Sequence, residues 1–167
     1  MSPRPKRFLG KSEHPVDPKG RMSLSKQFHG ALDRDDEGRP TGVLCVERSE
    51  GKCLWIFNDE GFAKEAERFG TDAMPDPAAD GATDLDEQRD FFEFVEEFTL
   101  DAAGRVVIPA RFRELAGIGK RATCVGVFGR LEVWSTERWE ARQRGKNSPL
   151  VADDGAPRAL GGEETTS

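Results

Sequence analysis

Short apolar runs broken by polar turns dominate the chain, and none approaches the length needed to span a bilayer. Alternating or fully apolar runs at residues 43–46, 54–57, 106–108, 122–128 and 131–134 predict strands. Helical spacing marks residues 25–32, where Phe28 and Leu32 stand four apart, and residues 58–69, where Phe62, Ala66 and Phe69 form one stripe. Two further helices are expected over 109–116 and 135–144, the second with Trp139 facing the core. Asp84 is expected to cap a helix running through Phe92, and residues 93–100 lead from it into another strand. Residues 49–52 (SEGK) and Gly129-Arg130 predict turns, and residues 33–41 (DRDDEGRPT) read as a polar loop.

These elements repeat. Residues 98–115 read FTLDAAGRVVIPARFREL, and residues 14–32 read HPVDPKGRMSLSKQFHGAL. Asp17 matches Asp101, Gly20 matches Gly104, Arg21 matches Arg105 and Phe28 matches Phe112. In each copy a β-rich run ends in Asp, a turn with Gly follows, and Arg opens a second strand that leads to a short helix. Gly20 and Gly104 stand where a tight reversal needs positive φ, and Asp17 and Asp101 are placed to cap the turn. Pro109 suits a first helical turn, where its missing N–H costs nothing. The likeness extends further. The run CLWIF (53–57), then Asn58 and Phe62, matches LEVW (131–134), then Ser135 and Trp139. A unit of about thirty residues buries too little apolar surface to fold alone, so the two copies are expected to pair about a pseudo-two-fold. The expected organisation is a basic arm (1–6), a first repeat (7–69), a flexible acidic Pro/Gly linker (70–83), a second repeat (84–145) and a disordered tail (146–167).

The net charge of −6 argues against a nucleic-acid partner until its distribution is considered. Residues 1–26 carry seven Lys/Arg against two Asp/Glu, residues 59–101 carry three against fifteen, and residues 102–146 carry ten against four. Segregated charge lets an acidic protein present a basic face. Cys45, Cys53 and Cys124 lie at strand positions with no Cys/His spacing of the zinc kind, which predicts buried free thiols in a reducing compartment. His14 and His29 have no spaced partner for a metal, and there is no P-loop, dinucleotide fingerprint, H-E-x-x-H or G-x-S-x-G. No enzyme chemistry, metal or cofactor is called for.

The pairing of D-P-K-G-R with D-A-A-G-R, the IPARFREL helix and the run VGVFGRLEVWSTERWEA closely resemble the MraZ family, within the AbrB-like swapped-hairpin superfamily. The resemblance covers roughly residues 7 to 145 and departs at Ser25 and His29, where the family usually has Pro and Arg. It implies an α+β fold of two tandem AbrB-like swapped-hairpin β-barrel halves, related by a pseudo-two-fold and each with short helices. It also implies a ring-shaped homo-oligomer, cytoplasmic and nucleoid-associated, with no membrane or small-molecule partner. Such a protein binds short direct repeats in promoter double-stranded DNA near the division and cell-wall genes, as a repressor. Arg21 and Lys19 are the foremost DNA-contact candidates by this resemblance, with Arg7 and Lys11 secondary on the same hairpin. The physical basis is that Arg offers a rigid donor fork to guanine edges or phosphates and Lys a mobile charge. The competing role for Arg21 is to pair with Asp17 and lock the turn, and Arg105 has the same choice with Asp101. Asp17, Gly20, Asp101, Gly104 and Arg105 are therefore assigned to turn structure. Arg111 and Arg113 are equally readable as helix surface. A different reading of the whole chain is a ring-forming scaffold without specific DNA binding.

Overall fold

A computed structural model of the protein describes residues 6–47, 53–69 and 82–146. Most of the expected basic arm, the turn at 49–52, all but the last two residues of the expected linker and the tail beyond 146 lie outside the described residues.

The chain is α+β, with two sheets and five α-helices among the described residues. The first copy supplies β1 (Lys11–Pro15), β2 (Arg21–Ser23), α1 (Lys26–His29), β3 (Asp33–Arg34), β4 (Pro40–Val46), β5 (Leu54–Phe57) and α2 (Asp59–Ala66), the last continued by one 3₁₀ turn. Then come α3 (Ala82–Phe92), β6 (Val95–Thr99), β7 (Arg105–Val107), α4 (Ala110–Ala116), β8 (Arg121–Gly126), β9 (Leu131–Ser135) and α5 (Thr136–Lys146).

The two copies are interlocked. β1 of the first pairs antiparallel with β8 of the second, and β6 of the second pairs with β4 of the first. β5 and β9 join the copies in the middle of this seven-stranded sheet, whose order is β1-β8-β9-β5-β4-β3 with β6 also on β4. β2 and β7 form a separate ribbon with Met22 opposite Val106, so Arg21 faces Val107 and Arg105 faces Ser23. Exchanging the copies maps the β1–β8 pairing onto β6–β4 and maps β5–β9 and β2–β7 each onto itself, the strand pattern of a pseudo-two-fold.

Successive strand residues point to opposite faces, and the burial follows that period. Leu44, Val46, Leu54 and Ile56 enter the main core with Leu131 and Val133, under Phe8, Phe28 and Phe112. Val43, Cys45 and Phe57 point the other way, into a smaller cluster with Phe91 of α3 and half-buried Phe62 of α2. Trp139 of α5 is half-buried and meets Trp134 edge-on at 5.7 Å between ring centres. Cys45, Cys53 and Cys124 are buried and free. Burial pushes all three thiols up, Cys124 to about 12.

Several local expectations need correction. Residues 33–41 are not a loop: β3 pairs with the start of β4, Asp33 opposite Thr41. The helix ending at Phe92 begins at Ala82, so Asp84 lies within it and not ahead of it. The reversal between β8 and β9, expected at Gly129-Arg130, begins one residue earlier, with positive φ at Phe128 (76°). Pro109 occupies the cap position of α4, with ψ 149°, just outside the helix. Asn58 and Ser135 do cap their helices, accepting from the N–H groups of Gly61 (2.8 Å) and Arg138 (3.1 Å).

Because both copies contribute strands to one sheet, neither has a core of its own to unfold around. Phe112 is fully buried, and Phe112→Ala is expected to cost about 3–5 kcal/mol. Urea unfolding followed by tryptophan fluorescence and by far-ultraviolet circular dichroism should give coincident single transitions in both native and variant proteins.

Candidate nucleic-acid interface

The turn from Asp17 to Arg21 is built around one carboxylate. Asp17 Oδ1 accepts from the backbone N–H groups of Lys19 (2.9 Å) and Arg21 (2.9 Å), and Oδ2 accepts from Arg21 Nε (2.6 Å). The Gly20 N–H closes the turn on the Asp17 carbonyl at 2.9 Å, with φ at +88°. A Cβ at Gly20 would also collide with the Ile108 carbonyl, so the turn needs glycine for conformation and for space.

The turn from Asp101 to Arg105 repeats this bond for bond. Ala103 and Arg105 donate backbone N–H groups to Asp101 Oδ1 at 2.9 Å each, and Arg105 Nε donates to Oδ2 at 2.8 Å. A third copy stands where sequence reading saw only a polar loop. In Asp35-Asp36-Glu37-Gly38-Arg39, Glu37 and Arg39 donate backbone N–H groups to Asp35 Oδ1 at 2.9 Å each, and Arg39 Nε reaches Oδ2 at 3.2 Å. Gly38 has φ +82° and Gly104 +78°. The signal was present in the sequence as a third D-x-x-G-R, hidden because it falls in a segment of the first repeat that has no counterpart in the second.

In every turn the backbone N–H of the Arg is the largest influence on the Asp, holding its carboxyl below the ordinary value of 3.8. The ion pairs themselves are partly exposed and contribute little. Their effect is geometric. Each holds the Nε side of a guanidinium, which leaves further N–H donors that this Asp does not take.

Lys19 is exposed beside Arg21. Arg113 of α4 joins them from the other copy: its Nε donates to the Ile108 carbonyl at 3.0 Å, and its guanidinium lies against Gly20. Three cations thus meet at the first turn, and Arg113 is a member that sequence reading left undecided. At the equivalent place on the second turn stands His29, whose Nε2 donates to the Leu24 carbonyl at 2.9 Å and whose ring lies against Gly104. Arg7 and Lys11 are not part of this cluster. Lys11 opens β1 opposite Val125, six residues or roughly 20 Å of extended chain from Asp17, and Arg7 lies 6.0 Å from the Phe128 ring centre.

The fold and its turns define a class: an α+β protein in which two interlocked copies of one strand–turn–strand–helix unit each present an Asp-clamped arginine. The comparisons with known proteins sharpen this. A family model described as "MraZ protein, putative antitoxin-like" matches residues 91–154. A relative named transcriptional regulator MraZ from Moorella thermoacetica is 31% identical over 134 residues, covering 80% of this chain and 84% of that protein. One of the same name from a Roseiflexus species is 32% identical, and one from Saccharopolyspora erythraea 30%, each over 133 residues, 80% of this chain and 84% of the relative. The chain belongs to the MraZ family. No helix among the described residues is long and apolar enough to cross a membrane.

The depressed carboxyls fix a pH dependence. Each Asp has a lower proton affinity folded than unfolded, so the turns stabilise the fold above pH 3.8 and lose that contribution as pH falls through the lower folded values. Carboxyl-carbon NMR titration should give midpoints below 3.8 for Asp17, Asp35 and Asp101. An ordinary midpoint at any of them would mean that the turn is open in solution.

Proposed function

We propose that this protein is a transcriptional regulator that binds promoter double-stranded DNA sequence-specifically through the turn at Asp17–Arg21. The observation that carries this reading is the convergence of Lys19, Arg21 and Arg113 on one rigid turn, with Arg21 oriented by Asp17. A guanidinium clamped along one edge is pre-organised for bidentate contact with a guanine or a phosphate, and two flanking cations add sequence-independent attraction. The names of the relatives support a regulatory role. The protein acts as a ring-shaped homo-oligomer on short direct repeats near the division and cell-wall genes, repressing them at the nucleoid. Joining several weak sites in one assembly raises overall affinity without new contacts at each site.

Arg105 supplies the internal control, because it makes the same clamp without a neighbouring lysine in its turn. Binding of a labelled duplex carrying the protein's own upstream promoter is compared with a scrambled duplex at two salt concentrations. The native protein should prefer the promoter at the higher salt. Arg21→Ala should lose roughly 5- to 150-fold of that preference, the worth of one bidentate base contact. Arg105→Ala should lose much less, and native mass should show both variants assembled like the parent. Equal losses in the two variants would reduce Arg21 to a turn brace, and equal salt-labile binding to both duplexes by the native protein would favour the scaffold reading.

A further inference from the structure

The pseudo-two-fold is broken at its two turns. At the first, Arg113 adds a cation; at the second, the equivalent side chain is His29, and Ala103 stands where the first turn has Lys19. The third turn lies beside the weaker second one. The Leu100 N–H donates to the Pro40 carbonyl at 2.9 Å, which ties the residue before Asp101 to the residue after Arg39. Between the two turns is a cleft of about 530 Å³, lined by residues 101–104 on one side and by Lys26, His29, Arg34 and Arg39 on the other. Within the third turn Arg34 gives one N–H group to the Gly38 carbonyl (2.7 Å), and Arg39 gives two, to Asp35 (3.2 Å) and Glu37 (2.8 Å). Each guanidinium carries five donors, so both keep N–H groups beyond those the turn consumes. Lys26 forms no ion pair among the described residues.

We infer that this cleft is a phosphate-contact site for the DNA backbone, in which Lys26, Arg34 and Arg39 of the first copy supply the charge that the second turn lacks. The inference rests on the DNA-binding reading and adds a second contact region to it. The geometry suits a phosphodiester better than a base edge. Unlike that of Arg21, the Arg39 guanidinium is held by two carboxylates, Asp35 and Glu37, and the three cations come from different elements bordering one open cleft. Asp35, Asp36 and Glu37 on the turn and Asp101 across the cleft offset the three cations, so the attraction comes from the free N–H donors and the Lys26 ammonium at short range, and the contribution per duplex is a modest, salt-labile one. Contacts of this kind set register and general affinity and leave sequence preference unchanged.

The test is the salt dependence of binding by the full-length protein to the promoter and scrambled duplexes. Each phosphate contact contributes about 0.9 to the slope of log affinity against log salt. Lys26→Gln/Arg34→Gln should make the slope shallower by roughly one to two and weaken both duplexes equally, with the promoter preference intact. Lys26→Arg/Arg34→Lys, which keeps both charges, should retain the native slope. A neutral variant with an unchanged slope, whether or not its affinity falls, would overturn the inference and leave the third turn a structural brace. Loss of promoter preference in that variant would equally overturn it, since it would assign these residues to sequence reading. A native protein that binds neither duplex would remove the proposed function and this site with it, whereas native binding with an unchanged variant slope would remove only this site.

Discussion

One carboxylate in each turn takes up three N–H donors that would otherwise point into a tight reversal with nothing to bond. Asp17, Asp35 and Asp101 all do this in the same way, and the same side chain then fixes an arginine. The rest of the structure depends on that closure. The reversal at Gly20 turns the chain so sharply that β1 and β2 part company: β1 runs out to β8, and β2 joins β7 in the ribbon. Gly104 does the same for β6 and β7. Without that carboxylate the turn's N–H groups would lose their protein partner, and the reversal would be less sharply defined.

The consequence is that each copy completes the other. The β2–β7 ribbon places Gly104 against the Leu24 N–H and Gly20 against the Ile108 N–H, so each turn is anchored by the opposite copy. Phe28 and Phe112, the matched apolar residues of the two short helices, are both fully buried in the shared core. The same symmetry also delivers α4 to the first turn and α1 to the second. It is therefore a property of the pairing, not of either copy, that Arg113 reaches Gly20 and His29 reaches Gly104. Evolutionary change in one copy alters the surface of the other, and the difference between arginine and histidine at these places makes two alike turns chemically unlike.

Much of the frame was legible in the residues. The D-x-x-G-R spacing marks turns because only glycine adopts the required φ freely and only a short acidic side chain can bridge back to the backbone. Alternation at residues 43–46 and 54–57 marks strands with two covered faces, and Asn58 and Ser135 mark helix starts. Reading failed where a local signal had a tertiary purpose. Residues 33–41 are polar and rich in turn formers, yet Asp33 and Arg34 become a strand because β4 offers them a free edge. The turn expected at Gly129-Arg130 takes its positive φ at Phe128, whose backbone pairs with that of Phe8 in both directions.

The sequence by itself determined the units: their number, their turns, their periodicities and the arginine each turn carries. These follow from interactions within a few residues, where propensity and capping act. Which strand pairs with which, and which side chain of one copy lies on the turn of the other, was decided only by the tertiary structure. Arg7 and Lys11 share a hairpin with Lys19 in the sequence and lie at its far end in space, while Arg113, remote in sequence, lies against Gly20. The physical reason is that burial of the apolar faces of both copies is a non-local constraint. It is met by only one mutual arrangement, and no short window of residues encodes it.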